Sequence, residues 1–285
     1  MTVTATGDLA EQPRHDDTID LDGPWTSPRA LLRQTYAARD LCLTLARKDF
    51  FVRYRRAIFG VGWAVVLPLL QAVVLAAVIG HVTTIKVHHF SVFILAGVIG
   101  WTYFVVSLGA GATAIVDNAA LSSRIYFPRA ILPLSVCLSN VTALVISDVI
   151  LLAAGAIDGA PFGLRTLLIV PATLLVFAVT VGFTLVLSAV HVYFRDIRYA
   201  VQAALFVWFY VTPVFYPPSL VHGALRVVVD VNPMTGPIEL LHAAAVGGPS
   251  ITAGAGIATA AWTAGLLLVA VVLHCRFDRV FADLL

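Results

Sequence analysis

Six long stretches of this chain contain no Asp, Glu, Lys or Arg, apart from one internal Asp, and they constrain its fold more than any other feature. They cover residues 57–85, 87–116, 130–157 (which includes Asp148), 166–194, 199–225 and 240–275. Each reaches the length of about 20 apolar residues that a helix needs to cross a membrane. They predict six spanning helices, at about residues 60–83, 91–115, 132–156, 166–191, 199–217 and 252–274.

The composition supports an all-α polytopic membrane protein. Of the 285 residues, 60% are hydrophobic and 12% are charged, and the mean hydropathy is +0.93. Soluble domains carry about 25% charged residues, so soluble enzymes and nucleic-acid-binding proteins are largely excluded. The three cysteines, Cys42, Cys137 and Cys275, form no CxxC pair and are expected to be ordinary apolar positions.

The basic residues predict the orientation of the spans. Fifteen of the 18 lysines and arginines fall in segments on one side, and Lys86, Arg165 and Arg226 fall on the other. Because loops on the cytoplasmic side carry the excess of positive charge, both termini are predicted to be cytoplasmic. Residues 1–28 contain six acidic residues and one arginine, which predicts a disordered acidic tail ahead of a six-span domain over residues 57–285.

Residues 29–56 predict an amphipathic helix in the cytoplasmic membrane interface, because apolar residues recur there at helical spacing between basic ones. Its basic residues near the first span are Arg47, Lys48, Arg53, Arg55 and Arg56. One interpretation is a simple anchor to anionic lipid. The alternative is that these residues gather an anionic lipid-phosphate substrate at the entrance of a channel.

The chain lacks an energy source of its own. A phosphate-binding loop needs a Gly-Lys pair, yet neither Lys48 nor Lys86 follows a glycine, so any ATP must be bound by another subunit. No catalytic site and no metal site is expected, since His88 and His89 have no neighbouring carboxylate in the sequence. Asp148 leaves two alternatives open: a hydrogen-bonded packing acid, paired with Asn140 or Ser147, or the centre of a gradient-driven transporter.

The segment from Asp117 to Pro133 is too polar to span and too aromatic for an idle linker. Leu121, Ile125 and Tyr126 would lie along one edge of a short helix that Pro128 ends. An exposed apolar edge on a cytoplasmic helix predicts a docking surface, which argues against a purely structural membrane protein.

Three groups of motifs resemble a known family. They are residues 53–63 followed by Leu67-Pro68, residues 118–135 after the second predicted span, and Thr212-Pro213-Val214-Phe215-Tyr216 leading to Asn232-Pro233-Met234. Weak singly and specific together, they are similar to the permease subunits of ABC-type polysaccharide and polyol-phosphate exporters, from about residue 35 to the end. The closest types export O-antigen, teichoic acid or lipid-linked galactan.

The resemblance implies a homodimer that carries two ABC ATPase subunits, which hold ATP and Mg²⁺, and a polyprenyl-pyrophosphate-linked glycan as substrate in a bacterial plasma membrane. It implies re-entrant external helices at 219–229 and 233–245. It also implies ATPase-coupling positions at Asn118, Leu121, Arg124, Ile125, Tyr126, Phe127, Pro128, Arg129, Arg195 and Asp196.

Aromatic residues crowd the fifth predicted span and its end. Their rings suit the faces of sugars, so the predicted channel lining is Trp208, Tyr210, Phe215 and Tyr216; the alternative is ordinary packing and membrane-interface positions. A drug or small-lipid exporter of the same superfamily is the other transport hypothesis. The short external loops argue against it.

Overall fold

A computed structural model describes residues 27–55, 57–82, 87–122, 127–248 and 251–277, and all regular elements in these ranges are helical. The α-helices are α1 (Pro28–Ala37), α2 (Arg39–Tyr54), α3 (Trp63–Val82), α4 (Phe90–Gly111), α5 (Ala114–Asp117), α6 (Ala119–Ser122), α7 (Ile131–Ile157), α8 (Ile169–Tyr193), α9 (Ile197–Val211), α10 (Ala224–Val231), α11 (Thr235–Val246) and α12 (Ala253–Phe277). The predicted all-α class is confirmed. Nearly all of the predicted acidic tail lies outside the described residues.

Five helical segments are long and apolar enough to cross a membrane, which confirms a multi-pass architecture. They are Gly60–His81, Phe90–Gly111, Ile131–Ile157, Leu164–Tyr193 and Ala253–Arg276. In the fifth predicted span, the helix α9 has 15 residues and ends at Val211, and the backbone of the next residue, Thr212, is extended. Pro213 follows, and the residue before a proline disfavours helix. A membrane crossing by this fifth predicted span, and with it the count of six, therefore stays a prediction.

The N-terminal amphipathic segment forms two helices in place of the single predicted one. Ser27 caps α1, with its hydroxyl accepting a hydrogen bond from the Ala30 N–H at 3.2 Å, and the chain breaks at Ala38 before α2. Helix α2 packs against α7: Cys42 and Leu45 contact the cluster that contains Ile131, and Arg53 hydrogen-bonds to Asn140. The amphipathic pattern did not indicate this partner.

The helix ends gather into two opposite ends of the molecule. At the first, which we call the basic end, Ile115 of α5 packs with Ala189 and Val192 of α8 and with Leu273 of α12. At the second, the opposite end, His89 at the start of α4 pairs with Asp158 after α7, at 2.8 Å. Helices α4, α8 and α12 therefore run toward the basic end, and α7 runs away from it.

Helix α4 lies at the centre of the fold. Of its best 18-residue apolar window, 78% is buried, against 17% for the windows in the α3 and α12 segments. It packs against α3, α7, α8 and α11. Three buried glycines allow these neighbours to come close: a Cβ on Gly97 would overlap the Val214 carbonyl, one on Gly100 would lie 2.7 Å from Leu241, and one on Gly111 would overlap Thr184.

Two short helices lie between α9 and α12, where re-entrant helices were expected. Helix α10 has 8 residues and α11 has 12, so neither reaches spanning length. Helix α11 is almost wholly buried against α4, α8 and the 3₁₀ turn Leu164–Leu168. Helix α10 packs mainly on α12.

We expect Gly97→Ala to destabilise the protein. The added methyl group meets the backbone of Val214, which a side-chain rotation cannot relieve, and such overpacking costs about 1–3 kcal/mol. Gly109→Ala is the matched control in the same helix, because open space surrounds its Cβ position and alanine favours helix by up to about 1 kcal/mol. Thermal unfolding in detergent checks this; equal melting temperatures for the two variants would contradict the packing of α4.

Candidate functional site

The starts of the two segments predicted to couple to an ATPase lie near each other at the basic end. Helix α5 packs on α8, and α8 leads directly into residues 193–198. Asp117 on α5 and Arg195 after α8 both act electrostatically on His191. Arg195 and Asp196 are exposed, whereas Asn118 and Leu121 are half-buried. The side-chain amide of Asn118 donates to the Ala114 carbonyl at 2.8 Å, which closes the turn after α5.

Three of the predicted coupling residues, Phe127, Pro128 and Arg129, are buried inside the chain. Phe127 is 4% exposed and packs with Cys42 and Ile131 beneath α2. These three residues therefore hold the loop before α7 against α2 and α7. Arg124, Ile125 and Tyr126 lie outside the described residues.

Exposed aromatic residues flank Arg195 and Asp196, the predicted coupling positions after α8. Phe194 is 66% exposed and Tyr199 is 70% exposed, on either side of Arg195 and Asp196. Exposed aromatic rings next to charges are typical of protein contact surfaces. The sequence feature that could have indicated them is the clustering of aromatic and charged residues from Tyr193 to Tyr199.

The basic residues predicted at the substrate entrance take different positions. Arg53 donates to the side-chain oxygen of Asn140, and the Asn140 amide donates to Ser107 of α4 at 3.0 Å. Arg47 and Arg55 line two separate apolar grooves beside Phe50 and Phe51. Lys48 is exposed, and Arg56 lies outside the described residues.

Arg53 also lines a cavity of about 250 Å³ between α2, α3, α4 and α7. The other walls are mainly apolar, with Trp63 and Leu67 from α3 and Tyr103 from α4. The carboxyl of Asp49 lies near this arginine: burial raises its pKa, and the charges of Lys48 and Arg53 oppose that rise. A cationic group beside an apolar wall can bind an anionic headgroup that carries a hydrocarbon chain.

The four aromatic residues predicted to line a channel do not share one environment. Trp208 packs within the fold, edge to face with Phe104 and Phe183 at 5.3 Å between ring centroids. Tyr210 is 57% exposed. Phe215 and Tyr216 are half-buried, and the Tyr216 hydroxyl donates to the Val211 carbonyl at 3.0 Å.

Asn232 forms three side-chain hydrogen bonds that join neighbouring segments. The sequence analysis placed it in a motif but assigned it no role. Its side-chain oxygen accepts from the Trp208 indole N–H and from the Met234 N–H, both at 3.0 Å. Its amide donates to the Thr212 hydroxyl at 2.9 Å. Asn232 thus ties the end of α9 to the turn between α10 and α11.

Asp148 pairs with a residue that the sequence did not suggest. Its carboxylate accepts a hydrogen bond from the Thr173 hydroxyl of α8 at 2.7 Å, and the side chain is 8% exposed. Asn140, one of the two suggested partners, is instead engaged with Arg53 and Ser107. The contact joins α7 to α8, as expected of a packing acid.

Metal-binding side chains do not converge in the described part of the chain, where no group of three His, Cys, Asp or Glu residues could hold an ion. His89 of the predicted histidine pair is bonded to Asp158. All three cysteines are buried thiols.

We expect Trp208→Ala to lower the stability of the fold by about 3 kcal/mol, because it removes a ring from an aromatic cluster and one of the two donors to the Asn232 side-chain oxygen. Tyr210→Ala, two residues away and exposed, is the control and should change stability by less than about 0.5 kcal/mol. Thermal unfolding of both variants in detergent measures the difference. A Trp208 variant as stable as the wild type would place this ring outside the core.

Comparison with known proteins identifies the family. The sequence model described as ABC-2 type transporter matches residues 40–245. An O-antigen export system permease protein RfbA from Myxococcus xanthus is 31% identical over 206 residues, which are 72% of this chain and 79% of the relative. A protein of the same name from Klebsiella pneumoniae is 24% identical over 196 residues, 68% of this chain and 76% of the relative. The resemblance seen in the motifs is confirmed, and the chain belongs to the ABC-2 type transporter family.

Proposed function

We propose that this protein is the membrane subunit of an ATP-driven exporter that moves a lipid-linked polysaccharide across a bacterial plasma membrane. The observation that carries the proposal is the family match over residues 40–245, together with relatives named as O-antigen export permeases. The substrate belongs to the class of O-antigen, teichoic acid or galactan chains on a polyprenyl pyrophosphate. The chain supplies the path, and a separate ABC ATPase binds ATP and Mg²⁺.

The basic end faces the cytoplasm in this proposal. Exposed arginines support this orientation, since Arg33, Arg47, Arg195 and Arg198 all belong to segments at that end and positive charge is retained on the cytoplasmic side. The opposite end, with α10 and α11, then faces outward. Both termini lie in the cytoplasm.

The ATPase docks at α5 and at the segment 193–199. Support comes from their contact through Ile115 and Val192, which brings the two segments side by side, and from the exposed charges of Arg195 and Asp196. ATP can shift the permease between two states only if the docking contacts differ between those states. Docking on the end of α8 can couple to a change of state, because this long helix extends through the fold to the opposite end and its movement would alter both ends.

Two copies of the chain form the translocation path. The observation behind this is the loose packing of α9, whose side chains at Phe206, Val207 and Tyr210 are 70%, 63% and 57% exposed. A second copy supplies the missing wall, and Tyr210 contributes to the lining. Trp208 then packs behind the residues that line the path, and Phe215 and Tyr216, which follow α9, lie at its outer end.

The lipid-phosphate headgroup enters beside Arg53. The guanidinium of Arg53 is held at the cavity by Asn140, and apolar walls from α3 can pack against the carrier lipid. Arg47, Lys48, Arg55 and Arg56 raise the local concentration of anionic substrate from the same side.

We expect a double charge reversal, Arg195→Glu with Asp196→Lys, to reduce co-purification of the cognate ABC ATPase roughly tenfold, because repulsive pairs replace attractive ones at the contact. Arg165→Glu at the opposite end is the matched control and should retain the ATPase. Pull-down of tagged protein from detergent measures both. If the double variant binds like the wild type, residues 193–199 do not carry the docking; if the wild type binds no ABC ATPase, the function itself fails.

Arg53→Ala should lower glycan export roughly tenfold while ATPase co-purification stays unchanged, because the headgroup loses a charge-assisted hydrogen bond. Arg39→Ala, on the same helix and exposed, is the control and should export normally. Surface glycan and cytoplasmic lipid-linked glycan, measured in complemented cells, report the effect. Normal export by Arg53→Ala would leave the basic residues as a membrane anchor only.

A further inference from the structure

A second cavity lies at the opposite end of the molecule, and none of the residues discussed above as substrate contacts lines it. Its volume is about 550 Å³, which is within the range of about 300–1,000 Å³ typical of small-molecule sites. Its walls come from the start of α4, the turn after α9, the helix α11 and the turn before α12. It is formed within one chain.

A buried carboxylate faces this cavity from α11. Glu239 is 8% exposed, and its Oε2 accepts from the backbone N–H of Thr252 at 2.9 Å and from the Thr252 hydroxyl at 3.3 Å. Arg226 of α10 lines the same cavity and pairs with Asp230 at 2.9 Å. The cavity therefore offers both acceptors and donors in fixed positions.

His242, one turn after Glu239, provides the most specific indication of a ligand. Its ring stacks on Phe93 with 3.6 Å between the centroids, it is 6% exposed, and it lines the cavity. Among the described residues, its Nε2 has no hydrogen-bond partner. A buried polar atom without a partner is costly, and a bound hydroxyl group would remove that cost. Burial also lowers the pKa of His242, so the ring is neutral near pH 7. Its unprotonated nitrogen can then accept one hydrogen bond from a ligand.

The charges select the chemical class of the ligand. The guanidinium of Arg226 is already paired with Asp230, and the carboxyl group of Glu239 lines the same cavity, so an anion such as phosphate is disfavoured. A metal ion lacks a set of three ligands in the described ranges. Hydroxyl groups can donate to Glu239 and pair with His242, while Ala243 and Val246 offer apolar contact to the C–H groups of a ring.

We propose that this cavity binds an uncharged sugar unit, and that it is a saccharide site on the exit side of the transporter. The proposal rests on the proposed function, because that function supplies the glycan and turns the opposite end outward. A sugar held here resists backward movement of the chain between transport steps. Glu239 and His242 are the residues that recognise its hydroxyl groups.

The test is saturation-transfer NMR on the intact complex with its ABC ATPase in lipid nanodiscs. The probes are the methyl glycosides of galactose, glucose, mannose and N-acetylglucosamine. We expect saturation transfer to at least one glycoside, reduced about fivefold by His242→Phe, which keeps the stacking on Phe93, and by Glu239→Gln, which keeps an acceptor for Thr252. Asp158→Asn is the control, since this external carboxyl does not line the cavity, and it should leave the signal unchanged.

Two results would overturn the site: no transfer to any glycoside, or equal transfer in the wild type and both variants. Displacement of the glycoside by inorganic phosphate would also overturn it, because it would reveal an anion site. Thermal unfolding identifies a variant that fails to fold, and the other variant then decides. Glycan export in cells distinguishes failure of this site from failure of the proposed function. Export by a complex that binds no glycoside rejects only the saccharide site. A complete absence of glycan export from cells that contain the intact wild-type complex rejects the proposed function.

Discussion

The close packing around α4 is the contact on which the rest of the structure depends. This helix is buried by four neighbouring helices. Its glycines allow neighbouring groups to come closer than a larger side chain would permit. Gly97 receives the carbonyl of Val214 in the turn after α9, which fixes that turn. The same helix presents Tyr103 to the cavity beside Arg53 and Phe93 to the cavity at the opposite end. Both candidate ligand sites are thus built on one central helix.

Polar side chains connect the helices where lipid cannot hydrogen-bond to them. Asn140 joins α7 to Arg53 on α2 and to Ser107 on α4, Asp148 joins α7 to Thr173 on α8, and Asn232 joins α9 to the turn before α11. Unpaired polar groups are costly in a membrane, so each pair fixes the position of two elements. The Nε2 of His242 is one of the buried polar atoms of the described residues without a hydrogen-bond partner, and its ring lines a cavity of molecular size.

The length of the apolar runs is a local property, and it predicted the five long helical segments well. The fifth predicted span was overestimated in length because the apolar run continues past Pro213, where the backbone turns. The burial of Phe127 and Arg129 could not be predicted, since an amphipathic edge does not say whether its partner lies in the same chain. The cavity around His242 was also beyond reach, because it combines α4, α11 and Thr252, which are distant in sequence.

Helix α8 links the two ends of the molecule mechanically. Its 25 residues form a rod about 37 Å long, seated on α5 at the basic end and packed against α11 and α12 along its length. A tilt of about 5° imposed at one tip displaces the other by about 3 Å, given that length. Such a displacement is comparable to the length of a hydrogen bond, so a tilt of that size would change the contacts that α8 makes with α11.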